Sequence, residues 1–151
     1  MTREDRKNAF LYCKFRDMQF AFYDEYAKRN GMLMKTFLVL NALFYAKDGL
    51  TQKEICDKTF HSKQTVSLIV KNLLQDGYVT LTENAEDRRN KIVCMTDAGR
   101  AYAEKPVRHI TRAEDTAMSM LTPEEQETLI SLSRRFTQNL EKLVKSEGDE
   151  P

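Results

Sequence analysis

The chain has 151 residues, 41% of them hydrophobic and 31% charged, with a formal net charge of +1. That length fits one domain, or a compact lobe plus helices that pair it with a partner, and the near-zero charge neither favours nor excludes nucleic acid. No apolar run of about 18 residues is present, which excludes a membrane-spanning helix. Five glycines and three prolines argue for helices over a many-turned β fold.

Apolar residues first recur every three or four positions over residues 8–29, at Leu11, Phe15, Met18, Phe22 and Tyr26, with Phe10, Cys13 and Phe20 widening the stripe. This predicts a helix with one strongly apolar face, stopped by Asn30-Gly31. A second helix carries Leu33, Phe37, Leu40 and Phe44 and ends near Lys47-Asp48-Gly49. Thr51 and Glu54 have capping-box spacing and open a short third helix that faces Ile55 and Cys56 inward and breaks at Phe60-His61. Ser62 then caps a fourth helix, whose buried face is Val66, Ile69, Val70, Leu73 and Leu74.

After Asp76-Gly77 the period changes to two. Residues 78–82 and 91–95 read as strands joined by a long charged tip at 83–90. Thr96-Asp97 caps another helix, which Pro106 is expected to kink or divide. Thr122-Pro123-Glu124-Glu125 restarts a last helix with the apolar face Leu129, Leu132, Phe136, Leu140 and Leu143. Faces as apolar as those of the first and last helices predict pairing with a second copy, through Phe10 and Leu11 at one end and those five residues at the other.

Helix, tight turn, helix and hairpin within about fifty residues is the anatomy of a winged helix-turn-helix. The fold class is therefore mainly α with a small β-hairpin wing, flanked by N- and C-terminal dimerisation helices. With its apolar stripe buried, the fourth helix turns Gln64, Ser67 and Lys71 outward. Gln64 suits two-pronged pairing with adenine, and Ser67 can donate or accept. Lys63 and Lys71 suit phosphates, and so does the amide-rich helix start around Ser62 and Thr65. His61, in the turn, is expected to meet phosphate or solvent. On the hairpin tip, Arg88 and Arg89, with Lys91 close by, suit a narrow minor groove, and Asp87 can brace an arginine there.

Those residues carry a resemblance. Leu50-Thr51-Gln52-Lys53-Glu54-Ile55, Ser62-Lys63-Gln64-Thr65-Val66-Ser67, Leu73-Leu74-Gln75-Asp76-Gly77-Tyr78-Val79, Asp87-Arg88-Arg89-Asn90 and Met95-Thr96-Asp97-Ala98-Gly99-Arg100 together resemble the MarR family of bacterial regulators. The resemblance implies a sequence-specific DNA-binding repressor, with Arg89 in the minor groove and Asp87 as its buttress. It implies a homodimer on a pseudo-palindromic operator, and release by a small, often phenolic or aromatic, ligand held between dimer and DNA lobes. In these terms residues 1–31 and 106–151 form the helical dimerisation region and 32–105 the DNA-binding lobe. Phe22, Tyr26, Phe37 and Phe44 are the candidate ligand-binding residues. The chain departs from the family pattern at Leu68, where relatives often carry a polar or basic residue, and in its Met- and Phe-rich second helix.

Two alternatives accompany this reading: a redox-responsive regulator acting through Cys13, and a winged-helix protein-interaction module that binds no DNA. Cys13, Cys56 and Cys94 are odd in number and far apart, so no disulfide framework is expected. Cys13 reads most simply as a small buried side chain and the other two as core residues. His61 and His109 share no metal-ligand spacing with other donors, and no glycine-rich phosphate loop or nucleophile elbow points to an enzyme. No metal or cofactor is expected. The charged start, Met1-Thr2-Arg3-Glu4-Asp5-Arg6-Lys7, lacks the apolar stretch of a secretory signal, and a cytoplasmic location is expected.

Overall fold

A computed structural model describes residues 2–85 and 90–146. Six helices and three short strands follow in the order α1 (Arg3–Arg29), α2 (Met34–Phe44), β1 (Leu50–Thr51), α3 (Gln52–Thr59), α4 (Lys63–Gln75), β2 (Val79–Thr82), β3 (Ile92–Met95), α5 (Asp97–Ser119) and α6 (Pro123–Ser146). Most boundaries follow local chemistry. α1 starts five residues before the apolar stripe because Thr2 and Asp5 form a capping box: the Asp5 amide donates to Thr2 Oγ1 at 3.0 Å and the Thr2 amide to the Asp5 carboxylate at 2.6 Å. Thr51 and Glu54 make the expected box at the head of α3. At α6 the same exchange joins Thr122 and Glu125, with bonds of 2.8 and 3.2 Å.

The sheet differs from the expected two-stranded hairpin. β1 adds a third, antiparallel strand, giving the order β1-β3-β2, with Leu50 opposite Val93 and Thr51 opposite Ile92. Two residues show no periodicity, so no sequence pattern marks this strand. Gly49 makes it possible: its φ is +76°, and a Cβ there would fall 2.5 Å from the Val93 carbonyl oxygen. A larger residue would push β1 off its partner.

A single core ties helices to sheet. Phe37, Leu40 and Leu43 of α2, Ile55 of α3, Val66 and Val70 of α4, Val79 and Val93 of the sheet and Val107 of α5 are all fully or almost fully buried. Each such side chain stabilises the fold by about 1.5–3 kcal/mol. Gly99 lets α5 approach the chain before β2: an added Cβ would sit 2.0 Å from the Tyr78 carbonyl oxygen. Beside it the Tyr78 and Tyr102 rings stack at 4.4 Å.

Of the two outcomes expected at Pro106, a kink or a division, the division does not occur: α5 runs through it. Proline lacks the amide for one helical bond, but Pro106 and Val107 are both buried, and the Pro106 carbonyl accepts a 2.9 Å bond from the Tyr26 hydroxyl. Packing offsets the missing hydrogen bond. α2 also ends earlier than expected, at Phe44 rather than near residues 47–49.

The chain falls into two compact units, Met1–His109 and Ile110–Pro151. The expected division into a dimerisation region, 1–31 with 106–151, and a DNA-binding lobe, 32–105, is one of role rather than of compactness. Within the second unit, Gln126 Nε2 donates to the carbonyls of Met118 and Leu121 at 3.1 and 3.0 Å, stitching the turn before α6. None of the described residues of that unit is buried.

Candidate nucleic-acid interface

The site is built on α4. Phe60 ends α3 in the left-handed region, with φ 56° and its amide donating to the Cys56 carbonyl at 2.8 Å. Ser62 then caps α4, accepting from the Thr65 amide at 3.2 Å, while the two hydroxyls meet at 3.0 Å. Ser62 and Thr65, both expected DNA contacts, thus have hydroxyls engaged in the cap, and Thr65 is half-buried. Val66, Ile69, Val70 and Leu73 point into the core, so Gln64, Ser67 and Lys71 stand exposed on the outward side, with Lys63 exposed beside them at the helix start. That is the ridge the spacing predicts. Leu68 shares it.

A groove of about 660 Å³ lies beside the ridge, lined by Gln52, Lys53, Cys56, Lys63, Leu81, Asn90 and Lys91. Among the described residues, three lysines and two amides line it together with Cys56 and Leu81, and no carboxylate does. Crowded like charges need a counter-anion, and a phosphate backbone supplies a row of them. Sequence reasoning assigned no role to Gln52, Lys53 or Asn90, and it placed Cys56 in the core, whereas Cys56 is half-buried on the groove wall. The i, i+1, i+4 spacing of residues 52, 53 and 56 marks one helix face. Nothing local indicates that β2 and β3 stand across from it. The expected wing contacts Asp87, Arg88 and Arg89 lie outside the described residues.

His61, expected at a phosphate or in solvent, is half-buried. Its Nδ1 is buried and has no hydrogen-bond partner among the described residues. Burial foremost, and then the Lys35 charge, hold its pKa below the usual 6.5. The Glu54 carboxylate is held below its usual range by the Thr51 backbone and side-chain bonds of the α3 cap.

The four aromatic residues expected to hold a ligand are not alike. Phe37 and Phe44 are core side chains, Tyr26 is half-buried and Phe22 is 60% exposed. Tyr26 meets Phe37 edge to face at 5.8 Å and stacks on His109 at 5.5 Å, with its hydroxyl 3.1 Å from His109 Nδ1. The guanidiniums of Arg100 and Arg108 lie over the Phe44 ring at 5.1 and 5.4 Å. Sequence periodicity gave no warning of these two arginines.

Of the expected pairing residues, Phe10 and Leu11 are exposed on α1. Leu129, Leu132, Leu140 and Leu143 are exposed on α6, where Phe136 is half-buried. Cys13 is half-buried on α1. Among the described residues no group of three His, Cys, Asp or Glu side chains can hold a metal ion, and no helix is long and apolar enough to cross a membrane.

Helix, turn, reading helix, antiparallel sheet and a cationic groove beside the wing define a winged helix-turn-helix protein. The model of the MarR family matches residues 30–90, the stretch that holds α2, α3, α4 and β2. Over that stretch the chain is similar to the MarR family of DNA-binding transcriptional regulators. SarZ of Staphylococcus epidermidis, named an HTH-type transcriptional regulator, is 24% identical over 122 residues, spanning 81% of each chain. Among solved structures, the MarR family regulator NMB1585 of Neisseria meningitidis superposes with a TM-score of 0.77 at 22% identity, covering 97% of this chain and 99% of that one. MepR of Staphylococcus aureus, solved in complex with DNA, superposes with a TM-score of 0.71 at 22% identity, covering 88% of this chain and 97% of its own.

Proposed function

We propose that the chain works as a homodimer that sets two copies of α4 into the major groove of a pseudo-palindromic operator, about one DNA turn apart. It represses transcription there until a small aromatic ligand releases it. The observation that carries the DNA contact is the exposed ridge Lys63, Gln64, Ser67 and Lys71 beside a groove lined by Lys53, Lys63 and Lys91. Gln64 reads a base edge, Ser67 assists it, and Lys53, Lys63, Lys71 and Lys91 hold phosphates. Arg88 and Arg89, braced by Asp87, enter the minor groove. A protein acting on such an operator works in the cytoplasm.

Pairing is supported by the unburied apolar faces of α1 and α6, which a lone chain would leave in water. A ligand response is supported by the Arg100 and Arg108 guanidiniums over Phe44 and by the Tyr26–Phe37 pair, since cations beside aromatic rings suit an aromatic carboxylate.

Selection of bound duplexes from a random pool, followed by a salt series, tests the DNA reading. Lys63→Ala, Lys91→Ala and Arg89→Ala should each flatten the log–log salt slope by about two units, one contact from each subunit, and weaken binding similarly on all sequences. Slopes unchanged in all three would remove the groove and wing from the mechanism. No retardation of random DNA at low salt would favour the protein-interaction module. The same selection repeated with benzoate-class acids tests release.

A further inference from the structure

A single large apolar side chain interrupts the polar ridge. Leu68 is 59% exposed, one helical turn after Gln64 and three residues before Lys71. Scattered exposed leucines are ordinary on protein surfaces; the place of this one is not. The inward face of α4 is already filled by Val66, Ile69, Val70 and Leu73. At about 100° per residue, Leu68 and Gln64 both lie roughly 150° or more from the centre of that buried stripe. Whatever Gln64 faces, Leu68 faces as well.

Base edges in the major groove are rows of hydrogen-bond donors and acceptors with one apolar exception, the C5-methyl group of thymine. A leucine pressed against any other edge desolvates polar atoms and returns no hydrogen bond, which is unfavourable. Against the methyl it removes apolar surface from water on both sides. Four residues of helix span about 6 Å, less than two base-pair steps of about 3.4 Å, so the methyl lies one or two base pairs from the base that Gln64 reads.

We propose that Leu68 is a specificity-determining residue that packs on a thymine C5-methyl in each half-site and selects thymine at that position. The inference rests on the DNA reading above and adds which base the second turn of α4 recognises.

The test uses the full chain and the duplex it selects from a random pool. Each thymine of a half-site is replaced in turn by uracil, which removes the methyl and leaves pairing intact. In the wild-type protein, uracil at one position per half-site should weaken binding about fourfold, the worth of one methyl-sized group. Both half-sites together should lose about fifteenfold if the two sites act independently. Leu68→Ala should bind the thymine duplex more weakly and be indifferent to uracil at that position alone. Selection with Leu68→Gln should lose the thymine there. Wild-type affinity unchanged by uracil anywhere, or an identical uracil profile in Leu68→Ala, overturns the assignment while leaving DNA binding intact. Failure of the wild type to retain any duplex overturns the DNA reading and this assignment with it. Surface alanine and glutamine at an exposed helix position leave the fold undisturbed, so a changed profile reports recognition.

Discussion

The two compact units of this chain handle their apolar side chains in opposite ways. Among the described residues, every buried side chain lies between Ala27 and Val107, and none lies in 110–146. Yet α6 is no less patterned than α4: Leu129, Leu132, Leu140 and Leu143 recur at helical spacing as regularly as Val66, Ile69, Val70 and Leu73. Periodicity therefore shows that a face is meant to be covered without showing what covers it. In the lobe, α2, α3, the sheet and the start of α5 supply the cover. For α6, and for the exposed stretch of α1 around Phe10 at 69% exposure, the proposal assigns a second copy of the chain.

The largest effect should come from the lobe, whose core is complete within one chain. Leu40→Ala removes a fully buried side chain and should cost about 2–5 kcal/mol of stability, seen as a lower denaturant midpoint. A loss below about 1 kcal/mol would mean that the core tolerates the cavity and that the contrast between units is overstated. Next, Leu132→Glu with Leu143→Glu places two charges on α6. The lobe should still fold, while sedimentation equilibrium should show monomers and operator affinity should fall at least about 100-fold as two-site binding is lost. A double variant that stays dimeric would remove α6 from the interface.

A smaller, opposite effect is expected in the turn before the reading helix. Phe60 holds a left-handed conformation with 93% of its surface exposed, so its ring repays little of the backbone strain. Phe60→Gly should raise stability by about 0.5–1 kcal/mol. An unchanged or lower melting temperature would mean that the ring contributes contacts that outweigh the strain.

The smallest effect concerns pH. His61 has a folded pKa held below its usual 6.5, so the unfolded chain binds the proton more readily than the folded one. Its contribution is complete above about pH 6.5 and is lost as pH falls through the lowered folded value. Melting temperatures at pH 7.5 and 5.5 should differ more in the wild type than in His61→Gln. Equal differences would show that His61 is accessible enough to protonate without cost.

Many helix starts were legible because their rules are local. Thr51 with Glu54, Ser62, and Thr122 with Glu125 start helices through groups three residues apart, and such pairs are visible in any sequence. The ridge of Lys63, Gln64, Ser67 and Lys71 follows from the same 3.6-residue period that buries Val66 and Val70. What needed a distant partner was missed or left open. β1 exists because Val93 and Ile92 stand beside Leu50 and Thr51, and α5 runs unbroken because Pro106 is buried and bonded to Tyr26.

Period and capping, acting over a few residues, determined by themselves which segments are helices, where the strands β2 and β3 lie and which side of α4 faces out. Tertiary structure alone decided that Gln52, Lys53 and Asn90 join Lys63 and Lys91 around one groove, and that the Arg100 and Arg108 guanidiniums settle over Phe44. The reason is physical: hydrogen bonds within a turn join near neighbours in the chain, whereas a groove is made by residues that only packing brings across from one another.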